Sequence, residues 1–388
     1  MSIISEKARK FITGRRGQFP RIEAACRGQR GIVWVHSASY GEFEEVRPVV
    51  SALKALKPEI RILVTFFSPS GYEYLKDDPI ADWVFYIPID TRRNARRFLD
   101  AVRPEKVIVS ISDYWLNFLH ELRSRGIDTY LTSARYEPDM IYFKPVGFMY
   151  RDAFRTCFKR IFVRDRQSLD LLGSIGATNA VLMGDPRLDR VLEIASEPWS
   201  DPVVDAWAGG RKVFVAGSTL PDEDEGLVAA LANSHPGDKF MVIPHEIDRK
   251  QIERFCASIN GPCALYSEGG SPDAQVLVVD TVGMLSRLYR YGFAAYVGAG
   301  FDGGPHSVIE PAAYGIPVSY GPEFGPQYHC QLLVDCGAAR SVRNANEICA
   351  WYDRLVSDGD FLAASGKAAA DYCVSGSDVA RRIAMEIV

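Results

Sequence analysis

Short apolar runs separated by longer amphipathic stretches mark the first half of the chain. The apolar runs fall at 32–36 (IVWVH), 62–67, 84–87, 106–110, 129–133, 160–164 and 180–183. Continuous apolar runs of this length are typical of strands that are buried on both faces of a sheet. Because the stretches between them have the spacing of helices, this half predicts a parallel sheet covered by helices.

The same pattern restarts after a break. Residues 197–211 (EPWSDPVVDAWAGGR) contain two prolines and a Gly-Gly pair, which is typical of a linker between domains. Apolar runs follow at 213–216, 240–243, 276–279, 294–298 and around Val318. We therefore predict an α/β protein with two doubly wound, Rossmann-like domains that face each other across a cleft. Their expected bounds are 1–195 and 212–388, with a linker at 196–211, and the helical stretch from about residue 346 is expected to pack back on the first domain.

The turns after the predicted strands carry the candidate chemistry, because open α/β sheets bind ligands at the carboxyl ends of their strands. Glu42 follows the first strand, where a carboxylate could act as a general base or merely complement a helix dipole. In the second half, the turn at 217–219 (GST) suits a phosphate, and His245 suits a phosphate or base contact. The glycine-rich loop at 300–304 precedes Glu310, which could hold two sugar hydroxyls or be an ordinary charge in a first helical turn.

Composition narrows the function classes. The chain has 388 residues, of which 47% are hydrophobic and 24% charged, and its net charge is -4. It lacks the positive field of a nucleic-acid binder, and it has no apolar run of the about 18 residues that span a bilayer. Eight cysteines occur without a CxxC pair, so we expect reduced thiols rather than disulfides or zinc.

Two charged clusters each allow two interpretations. Asp222 and Asp224 form an Asp-x-Asp, which we interpret as acids that stabilise the start of a helix rather than as metal ligands. The basic cluster near the N-terminus is either a solvated arm or a segment that docks on an anionic membrane surface. It contains Lys7, Arg9, Lys10, Arg15, Arg16 and Arg21.

Several motifs follow one another in a fixed order along nearly the whole chain. They are His36-Ser37 through Gly41-Glu42, Asp113-Tyr114-Trp115, Ser133-Ala134-Arg135, Gly184-Asp185 with Arg187 and Asp189, Gly217-Ser218-Thr219 with Glu225, Pro244-His245-Glu246, Asp280-Thr281 with Gly283, and Gly304-Pro305-His306-Ser307 with Glu310-Pro311. Together they resemble the 3-deoxy-D-manno-octulosonic acid (Kdo) transferases of lipopolysaccharide biosynthesis, which have the two-domain GT-B glycosyltransferase fold.

The resemblance implies an inverting transfer of Kdo from CMP-Kdo to a hydroxyl of a lipid A precursor, without a metal or a cofactor. It implies that Glu42 is the general base. By position it assigns the donor to Gly217, Ser218, Thr219, His245, Gly304, His306, Ser307 and Glu310. It assigns the acceptor to Ser39, Gly41, Asp113, Trp115 and Arg135. The expected location is peripheral, at the cytoplasmic face of the inner membrane.

The sequence departs from the usual family pattern at three positions. Asp113 replaces a glutamate, Ser307 replaces an asparagine, and Pro244 stands where many members have arginine. The hydrophobic helix with which members usually begin is also absent here, so either the sequence is a truncated piece of a longer protein or the basic cluster docks it on the membrane. Two other hypotheses remain open: another GT-B enzyme that uses a UDP-sugar, either a transferase or an epimerase, and a non-catalytic relative that binds lipid A.

Overall fold

The structure is a computed structural model that describes residues 6–325 and 327–388. It divides into two compact units. Unit 1 holds the chain up to Arg190 together with Ser377–Val388, and unit 2 holds Val191–Gly376. Each unit is built on a seven-stranded sheet in which all paired strands are parallel. The predicted α/β class and its two Rossmann-like sheets are therefore confirmed.

The sheet of unit 1 has the strand order β3-β2-β1-β4-β5-β6-β7. Its strands are β1 (Ile32–Ser37), β2 (Arg61–Phe66), β3 (Trp83–Tyr86), β4 (Lys106–Ser110), β5 (Asp128–Ala134), β6 (Arg160–Val163) and β7 (Ala180–Leu182). The helices up to the boundary are α1 (Glu6–Arg15), α2 (Gln18–Cys26), α3 (Tyr40–Leu56), α4 (Pro69–Leu75), α5 (Arg92–Val102), α6 (Leu116–Ser124), α7 (Phe148–Thr156), α8 (Arg166–Ser174) and α9 (Arg187–Ser196). Two short 3-10 turns, Ile141–Phe143 and Pro145–Gly147, precede α7.

Every residue of β1 is buried, because helices cover both faces of the sheet. On one face the core includes residues of α2, α5, α6 and α7. On the other face it includes residues of α3 and of the C-terminal helix α18 (Val379–Ile387). Burial on both sides explains why the strand reads as a continuous apolar run rather than an alternating one.

The sheet of unit 2 has the strand order β10-β11-β9-β8-β12-β13-β14. Its strands are β8 (Val213–Thr219), β9 (Lys239–Pro244), β10 (Cys263–Leu265), β11 (Val276–Val278), β12 (Gly292–Val297), β13 (Val318–Tyr320) and β14 (Ala339–Ser341). Its helices are α10 (Pro202–Ala208), α11 (Glu223–Ser234), α12 (Arg249–Ser258), α13 (Leu285–Leu288), α14 (Ile309–Ala313), α15 (Tyr328–Asp335), α16 (Ala345–Ser357) and α17 (Gly359–Ser375), with 3-10 turns at Tyr266–Glu268 and Tyr289–Tyr291. The sequence pattern did not predict β10 and β14, which are three-residue strands at the two edges of the sheet.

The division between the units falls within α9 rather than at 196–211. The segment that the prolines suggested as a linker instead contains α10, which begins at Pro202 after the N-cap residue Asp201. Trp207 of this helix is 1% exposed in the core of unit 2, and its indole N–H donates to the carbonyl of Ala274 at 2.9 Å. Proline is favourable in the first turn of a helix, so its presence marked a helix start here. At the other end of the chain, α16 and α17 belong to unit 2 and α18 to unit 1.

The expectation of reduced thiols is wrong for one pair. Cys256 at the end of α12 and Cys263 at the start of β10 form a disulfide, and their Cα atoms are 5.7 Å apart. A short turn brings the two residues together, a proximity that their spacing in the sequence does not indicate. The other six cysteines are free thiols.

The basic cluster near the N-terminus is only partly solvated. Arg15, which the sequence suggested as part of an arm, donates to the carbonyl oxygens of Phe67 at 2.7 Å and Ile87 at 3.1 Å. Its guanidinium also lies 3.8 Å from the ring centre of Phe11, and burial lowers its pKa to about 10. This arginine therefore fixes α1 to the ends of β2 and β3. Within 6–325 and 327–388, no helix is long and apolar enough to cross a membrane.

Candidate functional site

Glu42 lies in the first turn of α3, directly after the end of β1. The hydroxyl of the N-cap residue Ser39 accepts from the Glu42 backbone N–H at 3.4 Å, and the Glu42 carboxylate accepts from the Ala38 N–H at 2.8 Å. This reciprocal arrangement resembles a capping box and holds the carboxylate in one place. Gly41, the remaining predicted residue of this turn, is exposed.

The environment of Glu42 changes its acidity. Burial raises the pKa of the Glu42 carboxyl, the Ala38 N–H opposes that rise, and the nearby charge of Asp113 adds to it. A carboxylate whose pKa is raised toward neutrality is a better proton acceptor than a free one. The geometry and the charge at this position therefore suit a general base.

Asp113 and Trp115 meet at one ring nitrogen of His36. The Nε2 atom of His36 lies 3.1 Å from an Asp113 carboxylate oxygen, and the Trp115 indole N–H donates to the same nitrogen at 2.9 Å. The other ring nitrogen, Nδ1, is 2.9 Å from the hydroxyl of Thr65 on β2. The structure thus brings together Asp113 and Trp115, which the sequence assigned to the acceptor, in the neighbourhood of Glu42.

Sequence reasoning missed His36 as a residue of this site. It was quoted in the motif that carried the resemblance, but it received no role. The available signal was a histidine within the otherwise apolar end of β1, IVWVHS. A fully buried polar ring needs hydrogen-bond partners, and these come here from segments far away in the chain.

Backbone strain collects at the same edge of the sheet. Ile111 after β4 has a φ of 58°, and Ser133 near the end of β5 has a φ of 57°. The hydroxyls of Ser37 and Ser133 are buried with no hydrogen-bond partner within the part of the chain that the structure describes. The strands concerned, β1, β4 and β5, are neighbours. Strained residues and unsatisfied polar groups concentrate at functional sites, which supports the location of the site at this edge.

Arg135 follows β5 at this edge, but its ion pairs run to other residues. Its guanidinium pairs with Glu137 and lies 3.5 Å from a carboxylate oxygen of Asp165. Asp165 is also the N-cap of α8, where it accepts from the Ser168 N–H at 2.7 Å. These contacts orient Arg135 toward α8. The proposed contact between Arg135 and an acceptor stays a prediction.

In unit 2, the end of β8 forms a second cluster. Ser218 has a φ of 54°, and the Thr219 hydroxyl is buried without a hydrogen-bond partner among the described residues. The His245 N–H donates to the carbonyl of Thr219 at 3.0 Å. The ring of His245 stacks on that of His306, with centres 4.4 Å apart and an angle of 18° between the planes.

The stacked pair favours neutral imidazole at His306. Burial lowers the pKa of His306, and the neighbouring His245 lowers it further. Two imidazolium rings cannot easily stack face to face, whereas an anion beside them would offset the repulsion. The sequence assigned Thr219, His245 and His306 to the donor. In the structure His245 contacts both of the others.

The glycine-rich loop after β12 folds against the end of its own strand. The Gly304 N–H donates to Ala299 and the His306 N–H donates to Gly298, at 3.2 and 3.1 Å. Gly300 lies against the backbone of Gly321, so that a Cβ atom on either residue would collide with the other. Close approach of two backbones requires glycine.

The helix after this loop is short, since α14 covers only Ile309–Ala313. Ser307 is half-buried just before it, and Glu310 lies in its first turn and is also half-buried. Both residues thus follow the loop directly, as the predicted donor site requires.

Tyr289 connects Gly217 to Glu310, and sequence reasoning missed it. A Cβ atom on Gly217 would collide with the Tyr289 hydroxyl. Burial raises the pKa of Tyr289, and the charge of Glu310 raises it further. Tyr289 lies in the sequence YRYG, which reads as ordinary core, so no pattern distinguished it.

Asp224, the second acid of the Asp-x-Asp, is held by donors from the protein itself. Its carboxylate is 1% exposed and accepts from the Tyr296 hydroxyl at 2.6 Å, the Ala299 N–H at 2.7 Å and the Leu220 N–H at 2.9 Å. These donors occupy both carboxylate oxygens. In the described part of the chain, no group of three His, Cys, Asp or Glu side chains could hold a metal ion.

Comparison with known sequences gives one family. Residues 12–190 match the family model described as 3-deoxy-D-manno-octulosonic-acid transferase (kdotransferase). A 3-deoxy-D-manno-octulosonic acid transferase of Aquifex aeolicus is 28% identical over 338 residues, which cover 84% of this chain and 87% of the relative. The enzyme of the same name from Haemophilus influenzae is 26% identical over 336 residues, covering 83% and 77%.

Comparison with solved structures supports the fold. The UDP-GlcNAc 2-epimerase of Neisseria meningitidis, bound to UDP-GlcNAc, gives a TM-score of 0.65 at 15% identity, covering 92% of this chain and 99% of that one. Another UDP-N-acetylglucosamine 2-epimerase gives 0.65 at 15% identity, covering 92% and 95%. At such low identity these neighbours share the two-unit α/β architecture, and they say nothing about the substrate.

Proposed function

We propose that this chain is a Kdo transferase that moves Kdo from CMP-Kdo to a hydroxyl of a lipid A precursor, as the match of residues 12–190 and the similarity to transferases of that name suggest. The observation that carries the proposal is the half-buried carboxylate of Glu42. Its pKa is raised, and it lies near Asp113 at the carboxyl edge of the sheet in unit 1. A positioned carboxylate of this kind is what the activation of an acceptor hydroxyl requires.

The proposed reaction is a direct displacement. Glu42 takes the proton of the acceptor hydroxyl while the oxygen attacks the anomeric carbon of Kdo. The bond from that carbon to the phosphate oxygen breaks, and CMP leaves with the bonding electrons. Attack from the face opposite the leaving group inverts the configuration. The carboxylic acid of Glu42 afterwards releases its proton to water.

On the donor side, we assign the phosphate of CMP to the cluster around β8. The Thr219 hydroxyl and the stacked His245 and His306 can donate to phosphate oxygens, and such donors stabilise the charge that develops on the leaving group. Gly217, Ser218, Gly304 and Ser307 supply backbone or hydroxyl groups beside them. Glu310 would accept hydrogen bonds from the ribose hydroxyls. We propose that the step uses no metal, since Asp224 is already saturated by protein donors.

The acceptor of this reaction is a membrane lipid, so we also propose peripheral docking at the cytoplasmic face of the inner membrane. Unit 1 exposes Ile141, Val146 and Phe148 around Lys144, on the segment that leads into the first residue of α7. Apolar side chains beside a cation suit an anionic lipid surface. Phe148→Asp should reduce co-sedimentation with vesicles that contain anionic lipid, whereas Val356→Asp, an apolar position in unit 2 that is also exposed, should not. Equal sedimentation of both variants would contradict this surface.

The decisive experiment incubates the protein with CMP-Kdo and a lipid A precursor and reads the products by mass. We expect the precursor to gain Kdo. Glu42→Gln should lower the rate by roughly 10²- to 10⁴-fold, the usual contribution of a general base, while the protein stays folded. Glu59→Gln, an exposed residue before β2, is the matched control and should leave the rate unchanged. Full activity of Glu42→Gln would remove the base assignment.

The same preparation separates the alternative hypotheses. A ligand that binds only the folded protein raises its melting temperature, so CMP should stabilise the protein more than UDP at equal concentration. Stronger stabilisation by UDP would favour an enzyme that uses a UDP-sugar. Binding of the lipid A precursor without turnover of CMP-Kdo would favour a non-catalytic relative.

A further inference from the structure

A groove in unit 1 extends away from the Glu42 site. Its volume is about 590 Å³, and its walls come from the start of α5, the length of α6 and the start of α7. Trp115 lines the groove and is also the residue whose indole N–H donates to His36. The groove is therefore continuous with the residues that surround the proposed base.

One wall of the groove is cationic. Arg92 and Arg96 both line it, and four residues apart on a helix they share one side of α5. Arg92 has no ion-pair partner among residues 6–325 and 327–388, whereas Arg96 pairs with Glu121 at 3.2 Å. A second anion could be bound by Arg92 directly and by the unused N–H groups of Arg96.

The acidic groups of the groove are already occupied. Asp90 accepts from the backbone N–H groups of Asn117 and Phe118, both at 3.2 Å, and so caps α6. Glu121 binds Arg125 at 3.0 Å in addition to Arg96. Both carboxylates are thus held by protein donors, and Arg92 is the lining cation that no ion pair offsets among the described residues.

The opposite wall is apolar. Leu116, Met149 and Tyr150 line it, and Met149 is 49% exposed. The Trp115 ring, which packs against Phe67 with ring centres 5.2 Å apart, lies at the end nearest to His36. An indole ring is a favourable surface for the apolar face of a sugar, and the exposed Met149 suits an alkyl chain.

We propose that this groove holds the acceptor beyond its reacting hydroxyl. A sugar lies against Trp115, a phosphate of the same molecule binds Arg92 and Arg96, and the first carbons of an acyl chain lie on Leu116 and Met149. The groove thus selects a phosphorylated, acylated sugar over a neutral one. This inference rests on the proposed function for the identity of the acceptor but not for the binding itself.

The test measures binding apart from transfer. The probe is the deacylated acceptor backbone, a bis-phosphorylated glucosamine disaccharide, compared with the same compound after phosphatase treatment in isothermal titrations. The wild-type protein should bind the phosphorylated probe about tenfold more tightly, as one or two charge-assisted contacts allow. Arg92→Ala should reduce that preference, and Arg92→Ala with Arg96→Ala should abolish it.

The matched control is Arg93→Ala. Arg93 is also exposed on α5 but is not among the residues that line the groove, and its replacement should leave the preference intact. An equal loss in Arg93→Ala would show that only the general charge of α5 matters, and this would overturn the inference. Because Arg92 has no ion-pair partner in the described residues, the single variant avoids the loss of the Arg96–Glu121 pair.

Transfer assays distinguish failure of this inference from failure of the proposed function. In the double variant, the KM for the phosphorylated acceptor should rise at least about fivefold, with the KM for CMP-Kdo unchanged. If the wild-type protein transfers Kdo and the double variant does so with unchanged KM, the groove assignment is wrong and the function stands. If the arginines bind the probe but no Kdo is transferred, the function fails and the groove assignment stands.

Discussion

Glu42 combines a structural and a chemical task in one carboxylate. Its hydrogen bond from the Ala38 N–H belongs to the start of α3, which alone would explain an acid at this position. Burial and the charge of Asp113, however, raise its pKa, and a group that served only the helix start gains nothing from such a rise. The capping contact fixes the position of the carboxylate, and the surrounding charges set its basicity.

The pH dependence of the rate follows from these charges. A base is active only when ionised, so activity is lost as the pH falls through the raised pKa of Glu42. Because the Asp113 charge contributes to that rise, Asp113→Asn should lower the pKa of Glu42 and move the acidic limb of kcat/KM to lower pH.

A full pH profile of kcat/KM checks this prediction, since it reports the ionisations of the free enzyme. The absolute rate is expected to fall as well, because Asp113 also contacts His36 at 3.1 Å. The position of the limb, rather than its height, carries the information. A limb that stays in place or moves to higher pH would mean that Asp113 does not act on Glu42 through its charge.

At the scale of elements, Asp224 holds three segments of unit 2 together. It lies at the start of α11 and accepts hydrogen bonds from the turn after β8, from Tyr296 on β12 and from Ala299 in the loop that leads to His306. The arrangement of the loops that we assign to CMP-Kdo therefore depends on a carboxylate whose oxygens are already occupied by protein groups.

Asp224→Ala should destabilise unit 2 by roughly 2 to 4 kcal/mol, because three buried donors lose their acceptor. Glu223→Ala, an exposed neighbour on the same helix, should stay within about 0.5 kcal/mol. Urea unfolding of both variants measures the difference, and a chelator should change neither the stability nor the rate of the wild-type protein. If Asp224→Ala were as stable as the wild-type protein, or if the rate of the wild-type protein depended on added metal, the structural role of Asp224 would be contradicted.

Elements differ in how well the sequence predicts them, and the reason is physical. Buried strands such as β1 and β9 are apolar on both faces, so their runs are visible without any contact information. Edge strands such as β14 have no such run. The prolines before and at the start of α10 resembled a linker because proline favours both a loop and the first turn of a helix.

The candidate site divides in a similar way. Glu42 and the 217–219 turn could be predicted because each follows a predicted strand directly. His36 and Tyr289 could not be predicted, since their roles arise from contacts with distant residues. His36 contacts Asp113, which is 77 positions away, and Tyr289 packs against the turn at Gly217. No local pattern encodes such contacts.

On the scale of the whole molecule, two separate segments of the chain contribute to unit 1. After α17 it leaves unit 2, and Ser377–Val388 form part of unit 1. The apolar side of α18 is formed by Val379, Ile383 and Ile387, which are at most 1% exposed, in the same core as residues of α3. Since α3 carries Glu42 in its first turn, the last helix supports the element that holds the proposed base.

Ile383→Ala should therefore destabilise unit 1 and leave unit 2 intact. Removal of a fully buried isoleucine side chain costs about 2 to 5 kcal/mol, and hydrogen exchange resolved by peptide localises that cost. Amides of β1, β2 and α3 should exchange faster, whereas those of β8 and β12 should keep their protection. Met385→Ala, an exposed position of the same helix at 57%, should change neither set. Faster exchange in β8 and β12 as well would show that the two units unfold together, and this would contradict a destabilisation confined to unit 1.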